Sequence, residues 1–119
     1  MSTPYNRVHY DRDGMLSCVY GLAVGDALGV PYEFCERGTF KCTGMADGGT
    51  HRQHAGTWSD DTSMALCICA SIKRLGIIDT ADIAHRFRQW LEHGDYTCDG
   101  RVFDAGVTCR KAISMGVPA

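Results

Sequence analysis

The sequence predicts an all-α fold, a compact helical bundle of about four main helices. Apolar residues recur at helical spacing in four segments. Glycine or proline stands at the end of each of these segments. No stretch alternates apolar and polar residues for long enough to make a convincing strand.

The first helix is expected within DGMLSCVYGLAVGDALG, after a frayed lead-in over residues 1–12. Met15, Leu16, Val19, Leu22 and Ala23 share one stripe, Asp13 is placed to cap the start, and Gly29 and Pro31 stop the helix. Gly21 and Gly25 lie four apart, so that face is expected to touch a neighbouring backbone closely. Residues 31–58 are glycine-rich and aperiodic, a long loop of the ordered, functional kind. A second helix is expected over residues 60–75, with Met64, Ala65, Ile68, Ile72 and Leu75 buried and Gly76 at its end. A third is expected over residues 80–93, capped by Asp79 or Thr80, with Ile83, Phe87, Trp90 and Leu91 as its apolar stripe. A fourth is expected from about Asp104 to Met115, ended by Gly116 and Pro118. The chain reads as one domain over residues 1–119, without repeats or linkers.

Hydrophobic residues make up 45% of the 119, an ordinary share for a globular protein. The formal net charge is −2 and the basic residues are scattered, so no strong field recruits nucleic acid or an anionic membrane. His85, Arg86 and Arg88 read as the wet face of a helix. No run looks apolar enough to span a membrane, and the polar start lacks a signal core, so a cytoplasmic location is expected. Seven cysteines without a CxxC fit reduced thiols, and Cys67 and Cys69 would point apart on a helix.

The pair Asp60-Asp61 is the most informative feature of the sequence. Its bland reading is a helix start, with Ser59 as N-cap and both acids favoured by the helix dipole, by roughly 0.3–1 kcal/mol each. Its sharp reading is a site for Mg²⁺ or Mn²⁺, which prefer oxygen ligands. Ser59, Asp60 and Asp61 would then supply three of them. The dipole opposes a cation there, so further acids are needed, and Asp26 and Glu33 are candidates. Asp26 stands at a helix C-terminus, where an acid is unfavourable, and such local rule-breaking often marks function; a solvated or backbone-bonded Asp26 and an exposed Glu33 are the alternatives. His51 and His54 read as loop residues, with a place near a substrate left open. Trp58 reads as a packing anchor rather than a stacking platform.

Three segments, GLAVGDALGVPYEF (21–34), GTWSDDTSMAL (56–66) and GDYTCDGRVFDAGVTCRKAI (94–113), together resemble the first three signature blocks of the ADP-ribosylglycohydrolase family. The resemblance covers about residues 14–116, with the W-[ST]-D-D-T block intact. It implies a larger all-helical fold around a two-metal centre, usually Mg²⁺ or Mn²⁺. It implies hydrolysis of the glycosidic bond between ADP-ribose and a protein side chain. By that resemblance Ser59, Asp60 and Asp61 are metal ligands, Glu33 and Asp104 are catalytic, and Asp26, Tyr96, Gly100 and Phe103 lie against the substrate. Family members are longer and carry a second acidic block, D-x-D-[ST], which this sequence lacks. The chain is therefore expected to be the N-terminal part of the family domain, with self-association or a complementing C-terminal part to cover its apolar faces. The competing readings are a non-catalytic ADP-ribose binder and a structural helical fragment.

Overall fold

A computed structural model describes residues 11–116. The lead-in expected over residues 1–12 lies outside the described residues up to residue 10, and Asp11 and Arg12 already begin a helix. The elements are α1 (Arg12–Gly29), a 3-10 turn (Val30–Tyr32), α2 (Asp60–Leu75), α3 (Thr80–His93) and α4 (Val107–Met115). The described residues contain no strand, only an isolated antiparallel bridge between Gly48 and Gln53.

Helix α3 forms as its sequence dictates. Asp79 accepts from the Asp82 amide at 3.0 Å, and Gly94 closes the helix at φ 75°, a conformation that costs glycine little. Its inward stripe places Trp90 in the core at 1% exposure, with Phe87 and Leu91 beside it. Cys67 from α2 and Ile113 from α4 complete the buried centre, and Met64, Val102 and Ala105 pack around it.

Helix α2 turns a different face inward than its large apolar residues suggest. Its buried positions are Thr62, Ser63, Cys67 and Ser71, whereas Ile68 and Leu75 are exposed. Small side chains at i, i+4 and i+8 let α2 lie close against α3, which is its principal neighbour. The Cys67 thiol, bonded to the Arg86 carbonyl at 3.6 Å, is pushed up to about 11 by burial. All seven cysteines are free.

Three further expectations are corrected. Asp13 does not cap α1; the N-cap position is Asp11, without a side-chain bond. Gly21 and Gly25 serve no close approach: a Cβ at either would meet nothing within 4 Å, and it is the neighbouring Asp26 that ties α1 to α2. Helix α4 begins at Val107 rather than Asp104, since residues 102–105 are drawn into tertiary packing: Val102 and Ala105 onto the core, Phe103 onto His51. Arg86 and Arg88 are half-buried, and Arg86 pairs with Asp82 at 2.8 Å.

Arg12–Tyr32 also overturns the expectation that no stretch is apolar enough for a membrane span. Within it, an 18-residue window reaches a mean hydropathy of 1.3. Core helices of soluble proteins pass the same test, and this one carries Asp26, whose carboxylate is bonded to α2. Leu16, Tyr20, Leu22 and Val24 are exposed along it.

Asp26 fastens α1 to α2. Its Oδ2 accepts from the Ser59 amide at 2.8 Å, the Thr62 amide at 3.2 Å and the Thr62 hydroxyl at 2.6 Å. Its Oδ1 accepts from the Ser59 hydroxyl at 2.6 Å. Ser59 and Thr62 are buried at 3% and 1% exposure, so water cannot replace these partners. Asp26→Ala is expected to lower stability by about 2–4 kcal/mol in chemical denaturation. Asp26→Asn should fall between, because its amide oxygen can take the two backbone donors while the Ser59 hydroxyl reverses. A loss under 0.5 kcal/mol for the alanine variant would show that Asp26 does not cap α2.

Candidate active site

The N-terminus of α2 is where the acids gather. Ser59 holds the N-cap position without capping through its own side chain; the Asp26 carboxylate takes that role from another helix. The expected Ser59 cap is thus corrected, and the Ser59 hydroxyl proton goes to Asp26. Asp60 and Asp61 follow in the first turn, with Asp60 Oδ1 accepting from the Asp61 amide at 3.0 Å. Trp58 donates from Nε1 to the Tyr96 carbonyl at 2.9 Å, and Ser63 Oγ donates to that same carbonyl at 2.9 Å. Trp58 therefore anchors the start of α2 to the 94–100 loop.

Glu33 reaches the same region from the end of α1. Pro31 rigidifies the 3-10 turn, and the chain reverses immediately after it, with Cys35 N donating to the Tyr32 carbonyl at 3.0 Å. Phe34 takes a φ of 64°, a left-handed conformation that costs a non-glycine residue energy and recurs at functional sites. Glu33 is left at the corner, half-buried.

Glu33, His51 and Asp104 meet there. His51 Nε2 lies 2.6 Å from Glu33 Oε2 and 3.5 Å from Asp104 Oδ2. Each of the three offers a donor atom, and these atoms all lie within 4.8 Å of one another. Burial pushes the Glu33 carboxyl above its ordinary value and the neighbouring Asp104 adds to the rise, against the His51 hydrogen bond. Burial likewise raises Asp61, helped by the charges of Asp60, Asp26 and Asp104.

Glu33, Asp104 and Phe103 are thus brought together, Phe103 through its ring 5.1 Å from that of His51. Tyr96 and Gly100 sit elsewhere, in the 94–100 loop. The Tyr96 hydroxyl accepts from Arg86 at 3.3 Å, and the Tyr96 side lines a groove of about 760 Å³ whose walls include neither Glu33 nor Asp104. The Gly100 amide donates to Thr97 Oγ1 at 2.8 Å, and its carbonyl lies so close to Gly94 that a Cβ there would collide. Sequence reasoning did not place His51 at the centre of the cluster. The signal available was a histidine beside the turn-forming pair Gly48-Gly49.

The donor set suits a hard divalent cation. Asp60 and Asp61 are adjacent oxygen donors at one helix start, and the Asp61 carboxyl, raised first by burial and then by neighbouring acids, sits among charges that a cation would offset. The proton of the Ser59 hydroxyl is directed to Asp26, which leaves the oxygen lone pairs for a ligand.

The ADP-ribosylglycohydrolase family profile matches residues 8–117, nearly the whole chain. The chain belongs to the ADP-ribosylglycohydrolase family. It is 39% identical over 103 residues to the ADP-ribosylarginine hydrolase Tri1 of Serratia proteamaculans, covering 87% of this chain and 28% of that protein. It is 38% identical over 110 residues to the ADP-ribosyl-[dinitrogen reductase] glycohydrolase of Rhodospirillum rubrum, covering 86% of this chain and 34% of that protein. A solved structure described as an ADP-ribosylglycohydrolase-related protein complex superposes with a TM-score of 0.60 at 45% identity, over 63% of this chain and 26% of that one. The chain therefore spans about a quarter to a third of the length of the ADP-ribosylglycohydrolases it matches.

The raised Asp61 has a definite consequence for stability. Between the unfolded and folded values the unfolded chain loses its proton first, so stability falls as pH rises through that window. Without added divalent ions, Asp61→Asn should therefore melt higher than the parent near pH 7. The gain should shrink as pH falls below the ordinary carboxylate range. Thermal melts across pH check this, and a lower melting temperature for Asp61→Asn at pH 7 would contradict it.

Proposed function

We propose that this chain is the N-terminal part of an ADP-ribosylglycohydrolase that removes ADP-ribose from a protein side chain, with arginine as the first candidate. The reading is supported by family membership and by the activities for which its relatives are named, ADP-ribosylarginine hydrolase and ADP-ribosyl-[dinitrogen reductase] glycohydrolase. The observation that carries it is electrostatic. Burial, with the charges of Asp60, Asp26 and Asp104 added to it, raises the Asp61 carboxyl, and Glu33 lies against Asp104.

In this reading Asp60, Asp61 and the Ser59 hydroxyl hold Mg²⁺ or Mn²⁺, which when bound supplies Lewis-acid polarisation of ribose hydroxyls and water. Glu33, its carboxyl raised by burial, suits a role in proton transfer. Asp104 faces the ribose, where its negative charge stabilises the oxocarbenium character that develops as the glycosidic bond breaks. Asp26 keeps the acid-bearing helix start in place, and Phe103 walls the cluster on the side of His51. The exposed Leu16, Leu22 and Val24 of α1 offer an apolar surface to the remainder of a family-length protein or to a second copy. Seven free thiols accord with a reducing, cytoplasmic setting.

The test is release of ADP-ribose from ADP-ribosylarginine with Mg²⁺ or Mn²⁺, by this chain alone and joined to the C-terminal remainder of the Serratia relative. Turnover is expected in the joined protein. Asp60→Asn or Asp61→Asn should each reduce kcat/KM by roughly 100-fold or more, as loss of a principal electrostatic group does. Unchanged turnover in both variants would remove their metal role. ADP-ribose binding by calorimetry without metal-dependent turnover would mark the chain as a non-catalytic binder instead.

A further inference from the structure

We propose that His51 is a positioning residue: its Nε2 holds the Glu33 carboxylate beside Asp104, and the turn spanning residues 48–53 serves to deliver it. The proposal rests on the hydrolase reading for its kinetic consequence, while its structural content stands independently.

The two carboxylates of Glu33 and Asp104 repel each other, and Glu33 has a flexible side chain on a chain reversal. Something must hold them together. His51 Nε2 faces Glu33 Oε2 at 2.6 Å and Asp104 Oδ2 at 3.5 Å. With Glu33 ionised, both neighbours of that nitrogen are acceptors, so Nε2 carries the hydrogen whether the imidazole is neutral or charged. A hydrogen bond onto a carboxylate is among the stronger kinds. The His51 side chain is 11% exposed, against 30% for Glu33 and 29% for Asp104, so the donor is the most enclosed of the three.

Two aromatic rings lie against the imidazole. Phe34 presents an edge-on contact at 5.8 Å, and Phe103 lies tilted at 5.1 Å. The backbone around it is fastened as well. Gly48 N donates to the Gln53 carbonyl at 2.8 Å and Arg52 N to the Gly49 carbonyl at 3.1 Å, closing the turn with Arg52 at φ 53°. Gln53 Nε2 donates to the His51 carbonyl at 2.8 Å. Thr50 Oγ1 donates to the Glu33 carbonyl at 2.8 Å, which ties the histidine's segment to the residue it positions. Gly49 lies so close to the Pro31 carbonyl that any Cβ would collide. Side chain and backbone thus converge on one outcome: a fixed place for the Glu33 carboxylate.

His51→Phe and His51→Gln, made in the protein joined to its C-terminal remainder, separate packing from hydrogen bonding. Phenylalanine can keep the aromatic contacts with Phe34 and Phe103 but cannot donate; glutamine can donate. In the crystal structure of His51→Phe the Glu33 carboxylate should leave its place beside Asp104, and in His51→Gln it should return. Turnover of ADP-ribosylarginine should fall roughly 100-fold in kcat for His51→Phe, with KM changed less than about threefold, and recover to within about tenfold for His51→Gln. A Glu33 carboxylate that stays in place in His51→Phe overturns the proposal, as does unchanged kcat in an active enzyme. If the parent protein does not cleave the substrate, the hydrolase reading fails, and the position of Glu33 in His51→Phe still decides the structural claim. Should that variant fail to fold, the ¹⁵N-histidine spectrum of the parent decides: a proton on Nε2 supports the proposal, and protonation of Nδ1 alone overturns it.

Discussion

The candidate site depends on the Asp26 carboxylate. A helix start leaves backbone N–H groups without partners, and α2 meets that need with an acid borrowed from α1 instead of with its own Ser59. The exchange does two things. It locks the last turns of α1 to the first turn of α2, which fixes where Glu33 emerges relative to Asp60 and Asp61. It also turns the hydroxyls of Ser59 and Thr62 inward, so that this helix start is built from oxygen atoms of defined orientation.

A second acid is then set against the first. Asp26 is satisfied by four donors, whereas Asp61 stands near Asp60, Asp26 and Asp104 and is raised above the ordinary carboxylate value. An arrangement of this kind gives up stability in the free protein, and under the proposed reading a bound cation would restore it. The same logic explains why the fold tolerates Glu33 and Asp104 side by side: a histidine on a braced turn stands between them. These acids come from three separate regions, the end of α1, the start of α2 and the segment before α4, and no one element could assemble the site.

Much of this was legible in the residues. The 3.6-residue stripe with Trp90, the Asp79 cap and the Gly94 stop define α3 locally, and local physics is enough. The WSDDT and VFDAG segments were recognisable as blocks because their residue types are kept in order. What escaped depends on long-range partners. Ser59 has every local attribute of an N-cap, and only the approach of Asp26, 33 positions away, displaces it. The large apolar residues of α2 look like its buried face, yet close approach to α3 selects Ser63, Cys67 and Ser71. Asp104 looks helical until Val102, Phe103 and Ala105 are engaged by the core and by His51. His51 has no helical spacing to advertise it, since the turn that aims it is closed by backbone bonds.

The most direct check is a crystal structure with Mn²⁺, located by its anomalous scattering. The account predicts a peak within coordination distance of the Asp60 or Asp61 carboxylate, with Asp26 still accepting from Ser59 and Thr62. Absence of any peak at the start of α2, or an ion seated on an Asp26 that has released Ser59 and Thr62, would contradict it.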